Sequence, residues 1–175
     1  VRDARLNLAS AQLSLEKLTN PPTELELLQA ENALTSARES QQSDSDALTK
    51  SYEDGFNTVS DTFLDLPTIM SGLQSLLYNS TITASQNNID AYRNMLPLDN
   101  VEVTALKQET ANAYNDARAS YDKAFELYGT VSRTSSPEDI THLIETTYDT
   151  TRSVSEAVKK TTDFLNYVND YQITV

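Results

Sequence analysis

Apolar residues spaced three and four apart, interrupted once by a pair of prolines, constrain this chain more than any other feature. Between Val1 and Leu18 the positions Ala4, Leu8, Ala11, Leu15 and Leu18 form a heptad seam, the period that lets one helix lie along another. Leu6 and Leu13 fall off this seam on a second face, and a helix with two apolar stripes has two neighbours, within its own chain or in another copy. In Thr19-Asn20-Pro21-Pro22-Thr23 two backbone donors are missing, and the residue before each proline is pushed out of the α region, so the first helix stops near Asn20. Thr23 and Glu26 have the form of a capping box, with Glu24 and Glu26 suited to the positive end of a new helix. A second seam follows at Leu27, Ala30, Leu34 and Ala37. Matched seams on either side of a capped break predict a helical hairpin bent at 19–23 rather than a linker.

The polar run Arg38 to Asp46 is either a loop or a solvated length of continuous helix, and its lack of Gly and Pro favours helix. Beyond it a core-facing stripe reads Leu48, Tyr52, Phe56, Val59, Phe63, Leu66, Met70, Leu73 and Leu77, with Pro67 as a kink or restart. A loop is expected over 78–85 and a short amphipathic piece over 89–96. From Glu102 to Val131 the stripe Tyr114, Ala117, Tyr121, Ala124 and Tyr128 alternates large and small residues, which lets a neighbour approach at the alanines. Ser136 as N-cap, Pro137 at the first helical position, and Glu138 and Asp139 open a last helix. Its stripe is read as Ile140, Ile144, Thr147, Thr151, Val154, Val158, Leu165 and Val168. The expected fold is all-α: an elongated antiparallel helical bundle carrying a coiled-coil-like hairpin. The hairpin occupies 1–47, and the bundle 48–175 is continuous with the hairpin's second helix.

Only 3 Gly and 5 Pro among 175 residues are too few for a many-turned β fold. A formal net charge of −13 argues against nucleic acid and anionic lipid as partners, because both need clustered Lys and Arg. Without cysteine there is no disulfide framework and no thiolate chemistry. No apolar run approaches the roughly 20 residues that span a bilayer. The sequence opens in mid-pattern at Val1 and reads as a piece of something longer.

Candidate chemistry is sparse. His142 is the only histidine; Glu138 and Glu145 share its helix face, but a carboxylate-bridged metal site in a bundle wants Glu-x-x-His on two helices. Asp44 and Asp46 resemble the start of a calcium loop, yet its sixth position is Thr49 and its twelfth Gly55. The acid pairs Glu53-Asp54 and Glu138-Asp139 lack a partner base, and no Gly-rich phosphate loop exists. The tyrosine stripe reads as core before it reads as a ligand-stacking surface. Asn79-Ser80-Thr81 fits the glycosylation sequon, a three-residue match of low specificity. No catalytic residue, metal ligand or cofactor is therefore expected, and the chain is not expected to be an enzyme.

The segment "ARLNLASAQLSLEKLTNPPTELELLQAENALTSARES" resembles the α-helical hairpin of membrane fusion proteins, the periplasmic adaptors of HlyD-type secretion and efflux systems. The shared features are repeated L-x-x-A heptads, an "LEKL" ending, a proline-containing bend, and an acidic restart into alanine-rich heptads. "YEDGFNTVSDTFLDLPTIMSGLQSLLY" is similar to helical material inserted in the hairpin of some adaptors. The resemblance covers about the first 40 residues; the β domains that flank an adaptor hairpin are not seen, and the helical region after Leu48 exceeds a plain hairpin. It implies a non-enzymatic role in the cell envelope, extracytoplasmic and membrane-associated through other parts of the parent. Its partners would be a transporter or other assembly components, with self-assembly in the full-length parent. Leu6 and Leu13 are the residues placed to meet a neighbouring protomer. Two other classes stay open: a ligand-sensing four-helix bundle, which should show a polar pocket between helices with convergent Arg or Asn, and a plain spacer.

Overall fold

The computed structural model describes residues 1–174 and is all-α. Five helices follow in order: α1 (Arg2–Thr19), α2 (Glu24–Tyr78), α3 (Asn88–Asn94), α4 (Val101–Thr130) and α5 (Pro137–Thr174). No strand occurs among the described residues. The chain divides into two compact units, Val1–Leu48 and Thr49–Val175, and α2 contributes its first part to one and its second part to the other.

Unit 1 is α1, the break, and α2 as far as Leu48. At the break Asn20 takes an extended conformation (φ −67°, ψ 133°) while its N–H still bonds the Glu16 carbonyl, which closes α1. The capping box then forms as the sequence predicts. Thr23 donates from its backbone N–H to Glu26 Oε2 at 2.7 Å, and Glu26 N–H returns a bond to Thr23 Oγ1 at 3.3 Å. Residues 38–46 are helical and exposed, so α2 crosses the polar run without interruption.

Unit 2 is a three-helix bundle. Phe56 of α2 stacks on Tyr128 of α4 (centroids 6.1 Å) and Tyr78 lies against Tyr114 (4.8 Å), so α2 and α4 run antiparallel. The α4–α5 pair is antiparallel too: Thr110 Oγ1 donates to the Lys160 carbonyl at 3.0 Å, and Thr150 Oγ1 to that of Ser120 at 3.2 Å. Buried positions repeat at three-four spacing on all three helices, as knobs-into-holes packing demands. On α2 these are Val59, Phe63, Leu66, Met70, Leu73 and Leu77. Leu48 and the half-buried Tyr52 fall outside this set. Pro67 removes the bond to the Phe63 carbonyl, yet α2 continues through it, with Leu66 and Met70 packed in the core on either side. On α4 the alternation holds: Ala117 and Ala124 are fully buried in turn with Tyr114 and Tyr121, with Tyr128 half-buried. The tyrosine stripe is core.

The α5 stripe needs correction. Its buried residues are Ile140, Leu143, Thr147, Thr150, Val154, Ala157, Thr161, Phe164 and Val168. Ile144 and Leu165 are only half-buried, and Thr151 and Val158 are exposed. The helix keeps a strict three-four alternation and fills several core positions with threonine. Each buried hydroxyl has a backbone acceptor one turn back: Thr147 to Leu143, Thr150 to Thr146 and Thr161 to Ala157, at 2.7–2.8 Å. A threonine satisfied in this way packs its methyl as valine would.

Between α2 and α4 the chain is organised around Asn88. Its buried amide oxygen accepts from the Thr81 and Ile82 N–H groups at 3.0 and 3.1 Å, and its nitrogen donates to Thr81 Oγ1 at 2.9 Å. That bond engages the sequon's third residue. Short α3 docks through Ile89 and Ala91, and Tyr92 meets Phe164 edge-on. Asp90 of α3 pairs with Lys107 of α4. Asn100 caps α4, accepting from Val103 N–H at 3.0 Å.

Candidate helix interaction surface

Unit 1 has no buried residue at all. Its ten leucines (Leu6, Leu8, Leu13, Leu15, Leu18, Leu25, Leu27, Leu28, Leu34 and Leu48) range from 51% to 83% exposed. A seam shared by packed α1 and α2 arms would leave its leucines far more covered than those on the outer face. Instead Leu8 and Leu15 of the seam are 59% and 62% exposed, and Leu6 and Leu13 of the second face are 62% and 58% exposed. The break is present, and the chain by itself leaves both faces open. Leu6 and Leu13 are thus available to a partner, and so are Leu8, Leu15, Leu27 and Leu34. What produces this is composition: every aromatic in the chain lies at or after Tyr52, so unit 1 has only leucine and alanine to bury. Ten exposed leucines on one unit make it a candidate interaction surface.

The two arms of unit 1 also differ in charge. Counting charged residues in α1 gives Arg2, Arg5 and Lys17 against Asp3 and Glu16, a net of +1. From Glu24 to Leu48 there are six acids (Glu24, Glu26, Glu31, Glu39, Asp44 and Asp46) against Arg38, a net of −5. Glu26 has its pKa lowered, first by the Thr23 backbone N–H and then by the Thr23 hydroxyl, so the capping carboxylate stays ionised.

Unit 2 has a groove of about 890 Å³ between α4 and α5, lined in part by Glu109, Asn112, Asp116, Tyr148, Arg152 and Glu156. Lys160 at its edge bonds Glu109 at 2.8 Å. His142 is exposed, in a smaller hollow with Lys123, Glu145 and Asp149. Among the described residues no three His, Cys, Asp or Glu side chains are grouped to hold a metal ion. No described helix is long and apolar enough to cross a membrane. Comparison with family models, curated proteins and solved structures finds no match to this chain.

Proposed function

We propose that this chain is a non-enzymatic helical segment of a cell-envelope transport adaptor, like a membrane fusion protein, acting through helix-to-helix contacts in an efflux or secretion assembly. One observation carries the reading. Unit 1 presents ten leucines at helical spacing and buries none of them, while unit 2 is self-sufficient. A surface built only of leucine and alanine heptads suits another helix and offers no reacting group. The resemblance of "SLEKLTNPPTELELLQAENAL" to an adaptor hairpin supplies the assembly, the extracytoplasmic setting and the transporter partner.

The test is made in the full-length parent. Replacing Leu6 and Leu13 with Glu should impair assembly and export, while circular dichroism shows the helices unchanged. Normal transport by that variant, or a parent without a transporter partner, would overturn the reading. The α4–α5 groove favours a second reading, a ligand-sensing bundle, because it brings Arg152 and Asn112 together between helices. The flanks of the parent gene separate the two. Lipoyl-type β segments on both sides support the adaptor, and a transmembrane helix followed by a signalling domain supports the sensor.

A further inference from the structure

Unit 2 presents a strip between α2 and α5 that carries almost no charge. Both helices run antiparallel to α4, so they run parallel to each other. Gly55 sets their register: a Cβ added there would stand 2.6 Å from Ile144 Cδ1. Successive heptads then bring Thr62, Ile69 and Leu76 of α2 level with Thr151, Val158 and Leu165 of α5. Ile69, Leu76 and Val158 remain 41%, 37% and 40% exposed. Farther out lie the exposed residues Thr58, Asp65 and Gly72 on α2, and Tyr148, Ser155 and Thr162 on α5. Of these fourteen positions only Asp65 is charged. On the far side of α5, Glu145, Asp149, Arg152, Glu156, Lys159 and Asp163 follow the same spacing and all are charged. Gly72 adds a second observation. Glycine weakens a helix interior, yet a Cβ at Gly72 would meet nothing within 4 Å, so the chain's own packing does not call for it. A backbone laid closely over α2 would.

Charges of opposite sign edge the strip. On α2 the edge is Asp61 and Asp65, and no basic residue falls between Lys50 and Arg93. On α5 it is Arg152 and Lys159, with Glu145 at the Ile144 end. Neither the two aspartates nor Arg152 and Lys159 make an ion pair, whereas Lys160–Glu109 ties α4 to α5 and Lys107–Asp90 ties α3 to α4. We infer that this face seats a fourth helix from another protein, an amphipathic helix whose apolar stripe fills the strip, with a basic edge along α2 and an acidic edge along α5. Gly55 to Leu76 spans about 31 Å at about 1.5 Å per residue, the length of three heptads of such a helix. Large apolar side chains of the partner have room over glycine and threonine, and the two edges fix its direction. A second copy fits less well, because it sets glycine and threonine opposite glycine and threonine and brings −13 to −13.

The inference concerns unit 2 and is decided without transport, so its failure leaves the adaptor reading of unit 1 standing. The chain has no cysteine, so Thr68→Cys places a single thiol on exposed backbone beside Ile69 for an environment-sensitive dye. Helices bound elsewhere on the chain leave that dye silent. The probe is a synthetic three-heptad helical peptide with a leucine stripe, lysines on one edge and as many glutamates on the other. It should shift the dye's emission and saturate. Ile69→Glu with Val158→Glu should weaken that binding by about tenfold or more, because the partner would bury both charges. Leu6→Glu with Leu13→Glu should leave it unchanged, and circular dichroism of each variant checks that the helices stay formed. Asp61→Lys with Asp65→Lys takes the net charge to −13 + 4 = −9, and Arg152→Glu with Lys159→Glu takes it to −13 − 4 = −17. Each reversal should weaken the neutral peptide severalfold although the two move net charge in opposite directions. Both together should restore binding, because a helix turned end for end exchanges its edges. No saturable shift, a loss with the Leu6 and Leu13 substitutions in place of the Ile69 and Val158 ones, or no rescue in the combined variant overturns the inference. So does dimerisation of the chain alone that Ile69→Glu with Val158→Glu abolishes, which would give the face to a second copy.

Discussion

α1 and α5 are written in the same period and end in opposite states. Both space small or apolar residues three and four apart, yet α5 buries nine of them and α1 buries none. What lies opposite makes the difference. The α5 stripe shares its core with Phe63, Met70, Tyr114 and Tyr121 from two long helices, side chains large enough to close a core around its alanine and threonines. The α1 seam has only leucines and alanines of α2 to meet, and it leaves them in water. Periodicity says that a helix has a face; the size and number of the residues facing it decide whether that face is satisfied at home.

Core truncation should expose this contrast most strongly. Phe164→Ala in unit 2 removes a fully buried ring and should cost about 3–5 kcal/mol, against less than about 0.5 kcal/mol for Leu15→Ala in unit 1. Urea unfolding followed by circular dichroism reads both. A loss at Leu15 of the size expected at Phe164 would mean that unit 1 has a core after all.

A finer version compares two threonines that each bond a carbonyl. Thr110 is fully buried and reaches across to α5, so Thr110→Val should cost about 1 kcal/mol. Thr35 is exposed and bonds Glu31 one turn back, so Thr35→Val should fall within about 0.5 kcal/mol of no change. Equal effects would erase the distinction between a cross-helix bond and a local one.

Much of this was legible beforehand, and the exceptions have physical causes. The break, its capping box and the stripes of α2 from Val59 onward and of α4 were readable because prolines, a Thr/Glu pair and large apolar residues are strong local signals. On α5 the neighbouring pairs Leu143–Ile144, Thr150–Thr151, Ala157–Val158 and Phe164–Leu165 offer two registers one residue apart, and the buried one runs through Thr150 and Thr161. Their hydroxyls are in fact satisfied by their own helix, which frees the methyl groups for the core. The openness of unit 1 was missed because a seam looks the same whether its partner is in the chain or outside it. The absence of aromatics before Tyr52 was the available signal. The α4–α5 groove could not be read at all, since Asn112 and Arg152 lie 40 residues apart and line one groove only through the packing of two helices.

The smallest expected effect concerns pH. Folding lowers the pKa of Glu26, so its contribution to the α2 cap is complete above the ordinary glutamate value and is lost as pH falls through the lowered folded value. Exchange at the Thr23 amide should rise across that acid window, while amides around Phe164 stay protected. A Thr23 amide indifferent to Glu26→Gln would remove the capping account.

Amide hydrogen exchange along the whole chain near neutral pH tests the central claim most directly, because it compares both units in one sample. Residues 59–77, 103–124 and 140–168 should exchange only through global unfolding, whereas residues 5–18 and 27–48 should exchange by local fraying, orders of magnitude faster. Unit 1 should gain protection only when a partner covers its leucines. Protection of 5–18 and 27–48 equal to that of α5 in a dilute monomer would show that unit 1 satisfies its own faces, and would contradict the account.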